Sequence, residues 1–443
     1  MLRLRDPILL IPLLFAGAIL LGALILSLPF ATASGERAPF LTALFTATSA
    51  VAVTGLIVVD TPVYWSPFGQ VAILIMFQIG GFGIMTAATL FGLMVGRGFG
   101  VRDHARTQVE RGRLETGDVP SVLRLVFAVT VAVEGVVAIV LGLRFAFGYG
   151  FPPLAAAWHG LFHSVSAFNN AGFSSFSDSV MSFQGDPVVL GPIALSVILA
   201  ALGFPVMQDI RANGLAWRRW SLHSKVTVVG SIGLLAAGFV AILLMEWSNP
   251  ETLGPMAVGV KALNAAFHSV MPRTAGFNSL NVGGFHDETI MANYLLMFIG
   301  GGSAGTAGGI KVTTFFVLFA IVLSEILGRR DTTMFHRRFA PQVQRQALSV
   351  TVLGAALIFV ATTWIAAISP LPLDDILFEC ISAFSTVGMS TGITADLPPG
   401  GLLIIMALMF IGRVGTITVA TALALGGAKR RPYRFPEETP IVG

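Results

Sequence analysis

Four glycines, Gly55, Gly172, Gly276 and Gly388, each close a short run of small or apolar residues. The runs read ATSAVAVTGL (Ala47–Leu56), SVSAFNNAGF (Ser164–Phe173), SVMPRTAGF (Ser269–Phe277) and ISAFSTVGM (Ile381–Met389). The chemistry open to such segments is the dehydration of a cation. Glycine admits backbone conformations that a side chain blocks, and a ring of backbone carbonyls can replace the water around an ion. The acceptors would be the carbonyls of Ala52, Val53 and Thr54, of Asn169, Asn170 and Ala171, of Arg273, Thr274 and Ala275, and of Ser385, Thr386 and Val387. A short helix ending just before each turn would aim its partial negative end at the same point. The alternative is four ordinary re-entrant packing turns. The intervals of 117, 104 and 112 residues between the glycines are too long for a solenoid and suit one unit repeated four times.

A second constellation is Gly300-Gly-Gly-Ser-Ala-Gly-Thr-Ala-Gly-Gly309, in which Gly300, Gly301, Gly302, Gly305, Gly308 and Gly309 crowd around Ser303. So many glycines cannot sustain a helix, at about 1 kcal/mol each relative to alanine. The segment is expected to be a flexible intramembrane loop beneath the turns; a glycine seam for helix packing and a phosphate cradle are the competing readings. A third feature is Arg413, which stands where the other units carry Gly81, Gly203 and Gly301. A charge at that depth must face a pore or a partner. Within 4 Å of a permeating ion it would contribute about 4 kcal/mol of repulsion at an effective dielectric of 20. It could instead pair with Glu134 or hold loop carbonyls. Lys311 closes the loop and either helps it or snorkels to the surface.

Other titratable groups point to no reaction. His159 and His163 share a helical face with no third ligand near, which favours a packed pair over a metal site. Glu134 stands alone as a proton carrier, Cys380 has no obvious base beside it, and no catalytic pair of acids lies within the spans. An enzyme is therefore not expected.

These residues need a membrane scaffold to position them. The chain has 443 residues, of which 55% are hydrophobic and 11% charged, against about 25% charged in soluble domains. Each unit reads as a span, a short re-entrant helix, a glycine turn and a second span. The first spans are Pro7–Phe30, Ser121–Phe147, Leu222–Met245 and Arg345–Ile368, and the short helices are Phe40–Ala52, Ala155–Phe168, Pro255–Met271 and Asp374–Phe384. The second spans are Tyr64–Val95, Pro187–Ile210, Thr289–Leu327 and Gly400–Leu425. The first run is too long for a signal-peptide core and is expected to be retained. With the N-terminus cytoplasmic, inner segments hold 21 of the 27 lysines and arginines, and outer segments only Arg37, Arg144, Lys261 and Arg273. That asymmetry orients the chain, puts both termini inside and makes the units parallel copies. The expected fold is an all-α polytopic membrane protein of eight transmembrane helices and four re-entrant pore helices around one pseudo-fourfold pore. Its units would be residues 1–96, 97–212, 213–328 and 329–443, the last with a polar tail that could dock at a dimer interface.

The segments AVAVTGL, SAFNNAGF, PRTAGFN and SAFSTVGMS resemble the four filter loops of the Trk/Ktr/HKT superfamily of potassium transporters, in order and over nearly the whole chain. The single leading span is most similar to the bacterial Ktr-type membrane subunits. The resemblance implies four M1–P–M2 units, a potassium-selective filter where all four positions are glycine, a gating loop at Gly300–Gly309 and an arginine at position 413 that holds it. It further implies a homodimer in the bacterial plasma membrane, a cytoplasmic ring of nucleotide-binding regulatory subunits, and uptake that often depends on sodium. The chain carries no nucleotide-binding domain of its own, which fits an external regulator. The residues alone say only a monovalent cation, and a coupled transporter of another cation or a small solute remains the alternative.

Overall fold

The computed structural model describes residues 7–95 and 119–415. The expected connector around 97–118 and the tail at 429–443 lie outside them. The helices are α1 (Pro7–Leu26), α2 (Phe40–Val51), α3 (Pro67–Val95), α4 (Val119–Tyr149), α5 (Pro153–Asn169), α6 (Pro187–Leu202) and α7 (Phe204–Asn213). They continue as α8 (Leu222–Met245), α9 (Val258–Val270), α10 (Asp287–Phe298), α11 (Val312–Ile326), α12 (Pro341–Ile368), α13 (Leu373–Phe384) and α14 (Pro399–Phe410). A two-stranded hairpin, β1 (Thr333–Met334) and β2 (Arg337–Arg338), interrupts the connector before α12.

Among the described residues four helices are long and apolar enough to cross a bilayer, and a fifth span forms if the bent pair α6 and α7 counts as one. Two expected second spans are not continuous. The second breaks at Gly203, where α6 and α7 meet at 89°. Gly203 has φ +85°, which a side chain strains, and Pro205 supplies no amide to continue α6. The third stops at Phe298 and resumes at Val312, with the glycine loop between. The fourth runs to Phe410 and widens into a π-helical turn over Ile411–Gly415.

The short helices α2, α5, α9 and α13 form the interior. From Ile376 to Phe384, α13 is buried at every position but Leu377. At a rise of about 1.5 Å per residue, twelve residues reach only part way across a hydrocarbon layer of about 30 Å. Each short helix is clasped from two sides. The second span of one unit packs on the short helix of the next: α3 on α5, α6 on α9, α10 on α13 and, closing the circle, α14 on α2. Lipid is as apolar as these side chains, so close packing rather than water exclusion must favour the assembly. Glycines supply it: a side chain on Gly80 would strike the Val51 carbonyl, and one on Gly412 the Phe384 carbonyl. Leucine, valine and phenylalanine on the outer faces of α1, α4, α8 and α12 remain exposed, as a lipid-facing surface requires.

Candidate ion-conducting site

Each short helix ends in a turn that brings its glycine to a common centre. Gly55, Gly172, Gly276 and Gly388 all line one cavity of about 460 Å³, together with Asp60 and Asp178. The turns interlock in sequence. A Cβ on Gly55 would collide with the carbonyl oxygen of Ala171, one on Gly172 with that of Ala275, one on Gly276 with that of Val387, and one on Gly388 with that of Thr54. All four glycines have positive φ, from +65° to +95°. The Asn170 side chain adds a lateral tie, Nδ2 donating to Thr274 Oγ1 at 3.0 Å.

Three turns share one backbone construction. Val53, Asn170 and Thr386 are left-handed at φ +55°, +60° and +47°, two residues ahead of the glycine. Their amides donate to Ala50, Ala167 and Ala383, and the next amides to Ser49, Ser166 and Ser382. A left-handed residue followed by a left-handed glycine turns successive carbonyls to one side. The third turn departs from this. Pro272 lacks an amide, and Thr274, Ala275 and Gly276 all donate to the single carbonyl of Met271. Thr274 is extended at φ −173°. None of the carbonyls at 52–54, 169–171, 273–275 or 385–387 accepts a hydrogen bond from a described residue. Thr54 Oγ1, Asn170 Oδ1, Ser385 Oγ and Thr386 Oγ1 are likewise buried without a partner among the described residues. Buried oxygens are ordinarily satisfied, so these are the oxygens at the turns left to accept from or coordinate another species.

Sequence reasoning missed the serine six residues before the glycine. The Gly55 amide donates to Ser49 Oγ and the Gly388 amide to Ser382 Oγ, each at 3.1 Å, while Ser166 Oγ donates to the Phe173 carbonyl at 2.7 Å. The third turn has Val270 there. The signal was visible as a serine in register in three runs of four.

The glycine loop lies directly behind the turns. Gly308 abuts the Ser385 carbonyl and Thr386 Oγ1. The loop is pinned at its neck by Gly300 N to Ile310 O at 2.9 Å and Val312 N to Gly301 O at 3.0 Å. It also docks on the break in the second unit. Carbonyls freed at the end of α6 accept Gly302 N (Ala201 O, 2.7 Å) and Thr306 N (Ala200 O, 3.3 Å), and Phe204 N donates back to Ala304 O. Three cationic side chains hold the loop's carbonyls. Arg413 Nη1 donates to Thr306 O and Lys311 Nζ to Ala307 O. Arg273 Nη2 donates to Gly300 O at 2.9 Å. Lys311 thus turns into the loop. Arg273, grouped above with the outer charges, is 6% exposed and reaches inward. Its role as a loop clamp is a long-range contact that spacing along the chain could not show.

Arg413 does not meet Glu134. The Glu134 carboxylate instead receives Asn169 Nδ2 at 3.2 Å and Gln78 Nε2 at 3.4 Å, which fixes the end of α5. His159 and His163 stack on Phe176 at 4.5 Å and 5.0 Å, and their ring nitrogens face Ser175 and Ser174 hydroxyls at 2.7 Å and 3.0 Å. They are part of an aromatic cluster beside the second turn.

Residues 20–427 match the family model TrkH, described as a cation transport protein. The chain is 37% identical over 429 residues to the Ktr system potassium uptake protein B of Bacillus subtilis (strain 168), covering 97% of this chain and 95% of that one. It is 35% identical to the Ktr system potassium uptake protein B of Vibrio alginolyticus, covering 97% and 93%. It is 34% identical to the potassium/sodium uptake protein NtpJ of Enterococcus hirae, covering 99% and 97%. The crystal structure of the potassium transporter TrkH from Vibrio parahaemolyticus superposes with a TM-score of 0.73 at 17% identity, over 94% of this chain and 84% of that one. That likeness speaks to the fold.

Proposed function

The chain belongs to the TrkH family of cation transport proteins, a family of membrane transporters, and on that premise we propose that it takes up potassium through the ring of four glycine turns. The observation that carries the reading is the closure of those turns around one cavity, each glycine against a carbonyl of the next turn. Residues 1–96, 97–212, 213–328 and 329–443 form four M1–P–M2 units around a pseudo-fourfold axis, with eight spans and both termini cytoplasmic. The filter is Ala52–Gly55, Asn169–Gly172, Arg273–Gly276 and Ser385–Gly388. Potassium, the cargo, exchanges its hydration shell for their carbonyls, and the short helices' C-terminal dipoles favour the cation there.

The segment Gly300–Gly309 is the gate. It sits behind the filter, and its clamps come from Arg273 of the third turn and Arg413 of the fourth unit. A few hydrogen bonds therefore decide whether the path is open. The buried guanidinium groups also place positive charge beside the path, where it opposes a passing cation. Relatives named as parts of a Ktr system support a membrane subunit that works with other components, and on our reading it is a homodimer in the bacterial inner membrane, governed by a cytoplasmic nucleotide-binding ring. A relative named for both potassium and sodium uptake supports sodium as activator or coupling ion. The test is potassium against sodium flux into proteoliposomes containing the purified chain, with Gly276→Ser as the comparison. Equal discrimination in both would remove the filter from the account.

A further inference from the structure

Two connectors at the feet of the spans come together on one face. Residues 209–225 lead from α7 into α8, and residues 325–338 lead from α11 through the hairpin toward α12. Together they carry eight lysines and arginines against three acids. Arg218, Arg219, Arg329, Arg330 and Arg337 are exposed and have no carboxylate partner among the described residues. Asp331 is taken by Arg338 at 3.0 Å, and Asp209 by the hydroxyls of Ser221 and Ser224. Trp217 joins the connectors. Its ring lies 5.3 Å from that of Trp220 and 6.3 Å from that of Phe335, with the Lys225 ammonium 6.0 Å over it. The hairpin tip is strained. Thr333 pairs with Arg338 and Met334 with Arg337, which leaves Phe335 and His336 as a two-residue turn, left-handed at φ +51° and +59°. Asparagine and glycine fill such turns most easily, and a bulky residue there is an outlier. The strain keeps an exposed phenylalanine beside Trp217, and Leu215 stands 91% exposed on the other connector.

Aromatic rings and an exposed leucine among arginines suit the headgroup layer of a bilayer rather than open water. The patch lies at that depth. Trp220 stands two residues before α8 and Arg338 three before α12, both helices long and apolar enough to span. Because α7 leaves α6 at 89°, it runs along the bilayer rather than across it. Guanidinium groups bind phosphate oxygens in pairs, and basic clusters beside spans attract anionic headgroups. We infer that this patch binds the phosphate headgroup of an anionic phospholipid, with Arg218, Arg219 and Arg337 as donors and Trp217 and Phe335 against the glycerol and upper acyl chain. The two connectors are also rooted in the glycine loop. Phe204, first in α7, donates its amide to Ala304 O at 3.3 Å, and Val312, first in α11, donates to Gly301 O at 3.0 Å. A headgroup that bridges the connectors therefore holds the loop in its docked shape. That consequence rests on the loop being the gate; the lipid site does not.

The experiment places the purified full chain in lipid nanodiscs that contain phosphatidylglycerol or phosphatidylcholine brominated along the acyl chains, at equal mole fraction. Bromine quenches nearby tryptophan, and the Trp217 signal is taken as the difference from Trp217→Phe. Phosphatidylglycerol should bind at Trp217 about tenfold more tightly than phosphatidylcholine. Replacing Arg218, Arg219 and Arg337 together by glutamine should cut that preference to about twofold or less. Phe335→Gly removes the ring and relaxes the turn, so its thermal midpoint should hold or rise while the preference falls. This second variant decides the matter if the triple variant does not fold. Equal quenching by the two lipids, or an unchanged preference in the folded variants, overturns the inference and leaves the patch to a water-borne partner. Basal potassium flux in proteoliposomes is scored separately and should fall as phosphatidylglycerol replaces phosphatidylcholine. Flux indifferent to a lipid that binds contradicts the gate in the proposed function and leaves the lipid site standing.

Discussion

Gly55 lies so close to the carbonyl oxygen of Ala171 that no side chain fits between them. The contact joins the first turn to the second, and the same contact recurs until Gly388 meets Thr54. A methyl at position 55 meets two obstacles. The φ of +95° costs a non-glycine residue about 1–2 kcal/mol, and Ala171 must move. Gly55→Ala should reduce discrimination between potassium and sodium about tenfold or more, since 1.4 kcal/mol is a factor of ten. Ion flux ratios in proteoliposomes measure it.

The serine hydroxyls behind the turns hold the glycine amides in place. In Ser382→Ala the Gly388 amide loses its partner, and an unmade buried hydrogen bond costs about 1–3 kcal/mol. Thermal unfolding in detergent should shift down, and selectivity should fall with it. Placing alanine at Ser49 should do the same for Gly55. Full selectivity in both variants would show that the turns are held by packing alone.

Loop clamping predicts leak. Arg413→Gln removes the bond to Thr306, and Arg273→Gln the bond to Gly300. Hydrogen bonds from charged groups contribute about 1.5–3 kcal/mol, so each variant should raise basal flux about tenfold. Both act on one loop, so the double variant should fall short of the product of the two. Shortening Gly300–Gly309 should also raise basal flux. Wild-type flux in all four would assign the segment a packing role.

Away from the filter, Asp186 joins α4 to α6. It caps α6 through the Val188 amide at 2.9 Å, pairs with Arg144 at 2.6 Å and accepts from Tyr149 at 3.0 Å. Burial alone would push its carboxyl up, but the bonds from Arg144, Val188 and Tyr149 outweigh it and hold the carboxyl below its ordinary value. Its contribution is therefore fully present above the unfolded value of about 3.9, and is lost as pH falls through the lower folded value. Asp186→Ala should cost about 1 kcal/mol at neutral pH from the lost cap alone. Below about pH 4 the difference from wild type should shrink. Unfolding midpoints across that range check both statements.

The repeat was legible because one physical demand, a backbone turn that tolerates no side chain, recurs four times. The short helices fell within a few residues of expectation because apolar runs too short to span leave few alternatives. Glycine crowding likewise announced the loop. What stayed hidden depends on partners distant in sequence. Gly203 and Pro205 break a span whose freed carbonyls the distant loop then meets, whereas the apolar run read by itself suggests one helix. Arg273 looked like an outer charge until its guanidinium was seen against Gly300. The odd third turn traces to Pro272, and Val270 leaves that turn without the serine brace.

The central claim is that four glycine turns select the ion, and Gly276→Ser tests it most directly. In that variant a side chain must enter the space occupied by the Val387 carbonyl, at φ +65°. Measured side by side in proteoliposomes, the wild type should pass potassium in strong preference to sodium, and Gly276→Ser should lose that preference while still conducting. An unchanged potassium-to-sodium flux ratio in a folded Gly276→Ser protein would contradict the account.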